Sequence, residues 1–164
     1  MAEPVSAAIG IGANLGDRAA ALSWAVAELD RIDGVRVERV AASVETPAMV
    51  LPGSTETQPD FLNTAAVVET TLEPLALLRE LQRIELAYGR PEASGRERWA
   101  ARVLDLDLLL YGDAVVVEPG LTVPHPGLAE RWFVLKPLSE IVPERVVPGL
   151  GLTVRELLAG VSCA

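Results

Sequence analysis

The stretch that decides the fold is Arg98-Trp-Ala-Ala-Arg-Val-Leu-Asp-Leu-Asp-Leu-Leu-Leu-Tyr111. From Val103 onward it is apolar, short and followed by a Gly-Asp turn, and this pattern predicts a buried β-strand. Because side chains alternate across a strand, Asp105 and Asp107 are expected on one face, with the even-numbered leucines from Leu104 to Leu110 on the other. The stretch therefore predicts a strand that carries a pair of carboxylates on one face.

The carboxylate pair needs a positive partner. Two carboxylates two residues apart on one strand face repel each other at neutral pH, and burial makes the repulsion worse. A divalent cation such as Mg²⁺ would offset it, since hard cations take carboxylate oxygens and keep open positions for phosphates. The alternative is that Asp105 and Asp107 face solvent and pair with Arg98 or Arg102, as surface carboxylates commonly do.

Length and composition indicate a single domain, residues 1–164, of which half are hydrophobic, enough to bury a sizeable core. The apolar runs are too short to span a bilayer, and the start, Met-Ala-Glu-Pro-Val, lacks the basic region of a signal peptide. One cysteine, Cys163, excludes an intrachain disulfide and a Cys-rich metal site. We therefore predict a cytoplasmic protein with no membrane partner.

The charge is distributed unevenly. The formal net charge is −9, and Lys136 is the only lysine beside thirteen arginines. An acidic protein is a poor general nucleic-acid binder, so no nucleic-acid partner is expected. Yet Arg90, Arg96, Arg98 and Arg102 fall in one short segment. Arginine forks match phosphate oxygens, whereas the ordinary alternative is an exposed loop of salt bridges.

Apolar periodicity predicts the order β-α-β-β-α-β up to Tyr111. The expected strands cover Val5–Gly12, Val35–Glu45, Phe61–Thr70 and the stretch from Val103, and the expected helices begin near Asp17 and at Pro74. This order predicts an α+β fold, a ferredoxin-like antiparallel sheet with both helices on one face. The C-terminal third is expected to add a hairpin, from Gly112-Asp113 into Ala114–Val117, and short helices on the other face, which completes a three-layer α/β/α domain. Thr153 and Glu156 form the capping-box pattern of a last helix.

The glycines at Gly10, Gly12 and Gly16 suggest an alternative function. They resemble a dinucleotide-binding fingerprint, although the spacing is GxGxxxG rather than GxGxxG. A nicotinamide- or flavin-binding oxidoreductase would also need parallel βαβ units. The simpler interpretation of the glycines is a tight turn between strand and helix. A non-catalytic ligand-binding domain is the second alternative.

Three features together favour phosphoryl-type transfer, namely the carboxylate pair, the arginine-rich loop and a second long loop at 46–59. Such transfer depends mainly on positioning the reactants and neutralising their charge. No Walker A sequence and no protein-kinase motif set occurs in the chain. Any such enzyme would therefore belong to neither of those classes.

Eight short segments occur in the order found in one family. They are Gly12-Ala-Asn-Leu-Gly-Asp17, Gln58-Pro-Asp-Phe-Leu-Asn63, Gln82-Arg-Ile-Glu85, Gly89-Arg90, Arg98-Trp99, Arg102-x-Leu-Asp-Leu-Asp107, Leu121-Thr-Val-Pro-His-Pro126 and Arg131-x-Phe-Val-Leu135. The sequence resembles 6-hydroxymethyl-7,8-dihydropterin pyrophosphokinase, of folate biosynthesis, from about residue 8 to about residue 145. Each segment is a weak signal alone, and the ordered set is specific.

The resemblance implies a Mg-dependent monomeric enzyme that moves the pyrophosphoryl group of ATP to the pterin hydroxymethyl oxygen and releases AMP. It assigns two Mg²⁺ ions to Asp105 and Asp107. It assigns catalytic roles to Arg90, Arg102 and Asp107. It assigns ATP binding to Gln82, Glu85, Arg98, Arg102, Thr122, His125 and Arg131. It assigns pterin binding to Thr46, Pro47, Phe61, Asn63, Trp99 and Phe133. Expansion of the segment 92–97 leaves open whether Arg96 or Arg98 serves the nucleotide.

Overall fold

The computed structural model describes residues 3–14, 16–46, 60–88 and 104–161. Its strands are β1 (Val5–Ala13), β2 (Val35–Val40), β3 (Val44–Thr46), β4 (Phe61–Thr70), β5 (Asp105–Tyr111), β6 (Val116–Glu118), β7 (Leu121–Val123), β8 (Val146–Val147) and β9 (Leu152–Thr153). Its α-helices are α1 (Arg18–Asp30), α2 (Pro74–Ala87), α3 (Trp132–Ile141) and α4 (Val154–Ala159), with a 3-10 turn at Leu128–Glu130. The described part is thus a mixed α/β fold with four α-helices, and none of its helices is long and apolar enough to cross a membrane.

The main sheet has the strand order β2-β4-β1-β5, and β3 also pairs with β4. Each of these ladders is antiparallel. The predicted antiparallel sheet is therefore confirmed. A dinucleotide-binding domain needs parallel βαβ units, so the main sheet formed by the described strands argues against the oxidoreductase alternative.

Two apolar clusters cover the sheet, and alternate residues of the central strands enter different clusters. The first cluster takes Ala7, Ile9 and Ile11 of β1 together with the buried faces of α1 and α2. The second takes Ala8 of β1 and Val67 of β4 together with residues of α3 and α4. Since side chains alternate across a strand, the two clusters lie on opposite faces of the sheet. We call these the α1/α2 face and the α3/α4 face.

A β-bulge in β5 changes one predicted face. Ala8 lies opposite Leu110 and Ile9 lies opposite Leu108, so Leu109 is an extra residue in the ladder with β1. Leu109 and Leu110 both join the cluster on the α3/α4 face. The strict alternation predicted for the leucines is therefore wrong at Leu110. The carboxylate pair precedes the bulge and keeps its predicted common face.

The predicted strand Val35–Glu45 is wrong as one element, because the chain forms β2 and β3 separately along β4. The ladder of β2 with β4 shifts register between Val37 and Arg39. Beyond β2, the Ala41 N–H donates to the Ala65 carbonyl, and the Thr64 hydroxyl donates to the Ala41 carbonyl at 2.7 Å. These bonds keep the chain beside β4 in the interval between the two ladders.

The predicted hairpin after Gly112-Asp113 is also wrong, because β6 pairs with β7 rather than with β5. The Ala114 N–H donates to the Tyr111 carbonyl, which closes a tight turn and carries the chain away from β5. The hairpin of β6 and β7 turns instead at Gly120, whose φ of 84° is a conformation that favours glycine. The sequence therefore contains a hairpin in this region, but one turn later than predicted.

The predicted helix starts of α1 and α4 are confirmed. The Asp17 side chain accepts the Ala20 N–H at the start of α1, and Thr153 and Glu156 form both bonds of the capping box of α4. Helix α3 was expected only as one of several unspecified short helices. It has Pro137 in its interior, where proline removes a helical donor and argues against a helix.

Candidate active site

The candidate site begins with a row of residues across the sheet on the α3/α4 face. In the two ladders of β1, Gly12 lies opposite Asn63 on one side and opposite Asp105 on the other. One step along the strand, Gly10 lies opposite Asp107. Adjacent strands lie about 4.8 Å apart, so the Asn63 and Asp105 backbones are separated by about 10 Å with a glycine between them. The Asn63 amide and the Asp105 carboxylate thus flank a strip of the sheet surface that carries no side chain. We call it the cleared strip.

Glycine is needed at position 12 because there is no room for a side chain, and not because of the backbone conformation. A Cβ atom built on Gly12 would lie 2.8 Å from Asn63 Oδ1, and the φ of Gly12 is not in the left-handed region. Gly10 and Gly12 lie within β1, inside the predicted strand Val5–Gly12, so neither belongs to the turn between strand and helix. Gly16 does lie in the turn before α1, with a φ of 65°. Gly10 and Gly12 are two residues apart within an apolar run, so they lie on the same face of the strand and leave it without side chains. This spacing was the sign of the cleared strip in the sequence.

The predicted pterin residues in the described part of the chain meet at one end of the sheet. Asn63 Nδ2 donates to Thr46 Oγ1 at 3.0 Å, and Thr46 lies opposite Phe61 in the ladder of β3 with β4. All three side chains are half-buried. Helix α3, which carries half-buried Phe133, packs against both β3 and β4. The fold therefore brings an oriented amide and an aromatic ring together beside the cleared strip.

Asp105 and Asp107 are half-buried on the same face as Asn63. Among the described residues, no group of three or more His, Cys, Asp or Glu side chains is arranged to hold a metal ion. Two carboxylates fit a hard cation that takes its remaining ligands from water and phosphate oxygens. The donor set therefore suits Mg²⁺ better than zinc, for which nitrogen and sulfur ligands are usual.

The outer edge of β5 receives two of the predicted ATP-binding residues. The Glu85 side chain on α2 is only 4% exposed, and its Oε2 accepts the Leu106 N–H at 2.8 Å. The His125 N–H donates to the Leu109 carbonyl at 3.0 Å, three residues further along β5. These contacts place Glu85 and His125 along the same edge. Glu85 is thus buried against the edge of β5 and is not part of a solvated helix face.

Gly127 connects His125 to Arg131. The Gly127 N–H donates to His125 Nδ1 at 3.1 Å, so the neutral ring carries its proton on Nε2. The Arg131 guanidinium lies against Gly127, because a Cβ atom built there would be 2.5 Å from Arg131 Nε. Arg131 also precedes α3 as its N-cap residue. A histidine N–H donor and an arginine are therefore held close together beside the edge of β5.

Of the other predicted site residues, two are exposed and the rest lie outside the described part of the chain. Gln82 on α2 and Thr122 on β7 are exposed. Five predicted residues lie outside the described residues, namely Pro47, Arg90, Arg98, Trp99 and Arg102.

Asn14 is a polar residue that the sequence analysis did not single out as a site residue. It follows β1, it is fully buried, and within the described structure neither its Nδ2 nor its Oδ1 has a hydrogen-bond partner. Buried amides are usually satisfied, so such a group calls for a functional or structural explanation. The one signal in the sequence was its position in the segment Gly12–Asp17.

Comparison with known proteins identifies the family. Residues 8–143 match the family described as 7,8-dihydro-6-hydroxymethylpterin-pyrophosphokinase (HPPK). The chain belongs to this family. The pyrophosphokinase of Synechocystis sp. is 39% identical over 157 residues, which cover 96% of this chain and 76% of that protein. The pyrophosphokinase of Methylorubrum extorquens is 42% identical over 151 residues, which cover 92% of this chain and 90% of that protein.

The HPPK fold is also similar to a solved structure. The HPPK-DHPS A437G structure from Plasmodium falciparum matches with a TM-score of 0.75 at 14% identity. The match covers 97% of this chain and 46% of that chain. This likeness supports the fold alone. The family match and the two relatives confirm the prediction of a pyrophosphokinase of folate biosynthesis.

Proposed function

We propose that this pyrophosphokinase transfers the pyrophosphoryl group of ATP to the hydroxymethyl oxygen of 6-hydroxymethyl-7,8-dihydropterin and releases AMP. The observation that carries the proposal is the row Asn63, Gly12, Asp105 across the sheet. The Asn63 amide, which can hydrogen-bond to the flat amide edge of a pterin, lies on one side of the cleared strip, and the Asp105 carboxylate lies on the other. A substrate that lies along this strip presents its reacting end to the carboxylate pair.

The pterin is bound by polar and aromatic groups at the β3 and β4 end of the strip. The Asn63 side chain offers both a donor and an acceptor, and its bond to Thr46 Oγ1 orients the amide. Phe61 and Phe133 supply ring faces for a flat bicyclic substrate. The resemblance adds Pro47 and Trp99 to this set.

Asp105 and Asp107 hold two Mg²⁺ ions in this proposal. What supports it is the chemistry of the donors, which are two half-buried carboxylates on one strand face beside glycines that leave room for phosphate oxygens. Bound there, Mg²⁺ would neutralise the negative charge of the polyphosphate. The chain's own contribution is to keep both carboxylates on one rigid strand and to aim them at the same space.

The nucleotide lies along the side of the site that His125 and Arg131 define. His125 Nε2–H donates to a phosphate oxygen, because Nδ1 is already engaged by the Gly127 N–H. The Arg131 guanidinium offers a fork of donors to the same anion. The remaining ATP-side assignments come from the resemblance, and they are Gln82, Arg98, Arg102 and Thr122, with Arg90 and Arg102 acting on the transferred group. Glu85, which the resemblance also assigns to ATP, is instead buried between α2 and β5.

We also infer a ferredoxin-like, three-layer α/β/α arrangement within one domain over residues 1–164. The strand order β2-β4-β1-β5 and the two apolar clusters on opposite sheet faces support it. The monomeric state and the cytoplasmic location stay predictions from the sequence.

The test of the proposed reaction is AMP formation from ATP and Mg²⁺ with and without the pterin. We expect AMP only when the pterin is present, and a loss of at least about 1000-fold in Asp107→Asn, which keeps the shape of the carboxylate but removes its charge. Asp33→Asn is the matched control, because Asp33 is exposed in the turn after α1. ADP as the product would contradict pyrophosphoryl transfer, and near-normal activity of Asp107→Asn would contradict the metal role of the pair.

A further inference from the structure

The feature that the proposed reaction leaves unexplained is the buried carboxylate of Glu85 beneath the aspartate pair. Glu85 lies on the buried side of α2 with Leu77, Leu81 and Ile84. Its Oε2 accepts the backbone N–H of Leu106, the residue between Asp105 and Asp107. The bond of 2.8 Å has the length of a charge-assisted hydrogen bond.

A glutamate is a costly way to satisfy this N–H. Burying a carboxylate requires strong compensating partners, whereas the N–H of an edge strand can bond to water. Strand β5 ends the order β2-β4-β1-β5, so among the described strands none neighbours its outer side in that sheet. The carboxylate therefore occupies the place of a missing ladder partner at the Asp105–Leu106 peptide, one of the two peptides that join the aspartates.

We propose that Glu85 is a positioning residue for the metal site, an inference that rests on the proposed metal role of Asp105 and Asp107. Holding the Leu106 N–H fixes the orientation of the Asp105–Leu106 peptide, which leads from the first aspartate toward the second. The two carboxylates leave the strand on the opposite face from the Leu106 side chain, so the rotation of this peptide sets their separation and direction. Glu85 acts from behind the strand, through the backbone.

Two variants separate the reach of the side chain from its charge. Glu85→Gln keeps an oxygen acceptor at the same distance and removes the charge. Glu85→Asp keeps the charge and shortens the side chain by one methylene, which withdraws the acceptor from the Leu106 N–H. Glu80→Asp is the matched control, because Glu80 lies on the same helix and pairs with Arg83 at 2.7 Å near the surface.

The readout is the Mn²⁺ dissociation constant, measured by electron paramagnetic resonance with a non-hydrolysable ATP analogue, together with hydrogen exchange of the Leu106 amide. Residues that orient metal ligands typically change metal affinity by about 10- to 100-fold when they are replaced. We expect a loss in that range for Glu85→Asp with faster exchange at Leu106, and a loss below about threefold for Glu85→Gln. We also expect kcat to fall in Glu85→Asp while the KM for the pterin stays near the wild-type value.

Two outcomes overturn the inference. In the first, Glu85→Asp accelerates exchange at Leu106 and leaves the Mn²⁺ dissociation constant unchanged, so the bond serves stability only. In the second, Glu85→Gln loses as much affinity as Glu85→Asp although it keeps the acceptor, so the contact with the Leu106 N–H does not account for the loss. If the wild-type protein binds no Mn²⁺, the failure belongs to the proposed metal role of the aspartates, which separates the two proposals.

Discussion

Substitution of Gly12 by alanine tests whether the cleared strip of the sheet serves pterin binding. Alanine can adopt the backbone conformation of this strand residue, since the φ of Gly12 lies outside the left-handed region. The added Cβ would lie 2.8 Å from Asn63 Oδ1, closer than real Cβ contacts allow. Something must move, and the nearest atom belongs to the amide that is proposed to read the pterin.

The expected loss of pterin affinity follows from the contacts that hold the Asn63 amide in place. Asn63 must move by a few tenths of an ångström, which strains its 3.0 Å bond to Thr46 Oγ1. Loss of one such bond costs about 0.5–1.5 kcal/mol, and the extra methyl in a packed region costs about 1–3 kcal/mol of the free energy of unfolding. We expect the pterin dissociation constant to rise by about tenfold, which corresponds to about 1.4 kcal/mol.

The assay is equilibrium titration of pterin fluorescence, with a parallel titration of a non-hydrolysable ATP analogue. Gly10→Ala is the matched control, because a Cβ there would lie 3.3 Å from Leu109 Cδ1, the end of a flexible apolar side chain. We expect Gly10→Ala to bind the pterin within about twofold of wild type. Unchanged pterin affinity in Gly12→Ala, or an equal loss of affinity for the ATP analogue, would refute the reasoning.

Two further predictions concern stability. Arg145→Met should lower the free energy of unfolding in urea by about 1–3 kcal/mol, because the guanidinium donates to the Ser6 carbonyl at 2.6 Å and to Ser6 Oγ at 3.0 Å; an unchanged unfolding midpoint would contradict this. The Thr153 backbone and side chain lower the pKa of the Glu156 carboxyl in the folded protein. The stability that Glu156 adds is therefore present above about pH 5 and is lost as the pH falls through that lowered pKa. The difference in melting temperature between wild type and Glu156→Gln should shrink in acid, and a constant difference would be inconsistent with this linkage.

The sequence predicted the elements whose signals are local. The carboxylate strand, the third strand and the second helix each have an uninterrupted apolar pattern, and Asp17 and Thr153 mark helix starts by capping chemistry that acts within three residues. The family resemblance likewise rests on short ordered motifs, and it named site residues without any view of how they meet. The predictions of these strands, helices and helix starts are confirmed, because each depends on residues that are neighbours in the chain.

Other features depended on partners far away in the chain. The bulge at Leu109 arises only because β5 must match β1, and it moves Leu110 to the α3/α4 face. The division of the second strand follows from its pairing with β4, and the hairpin after Gly112 pairs with β7 instead of β5. Local patterns cannot specify a register, since register is a property of two strands together.

The sequence by itself determined the candidate residues for the chemistry, since a carboxylate pair and arginines in ordered motifs are properties of residue type and spacing. Only the tertiary structure decided the contacts on which the roles proposed for Gly12 and Glu85 rest. Gly12 matters because β4 and β1 bring Asn63 within contact distance of its missing side chain. The role proposed for Glu85 depends on the packing of α2 on β5, which brings its carboxylate to the N–H of Leu106, the residue between the two aspartates. Both proposed roles depend on short distances between segments that are far apart in the sequence. Such contacts form only when the chain folds.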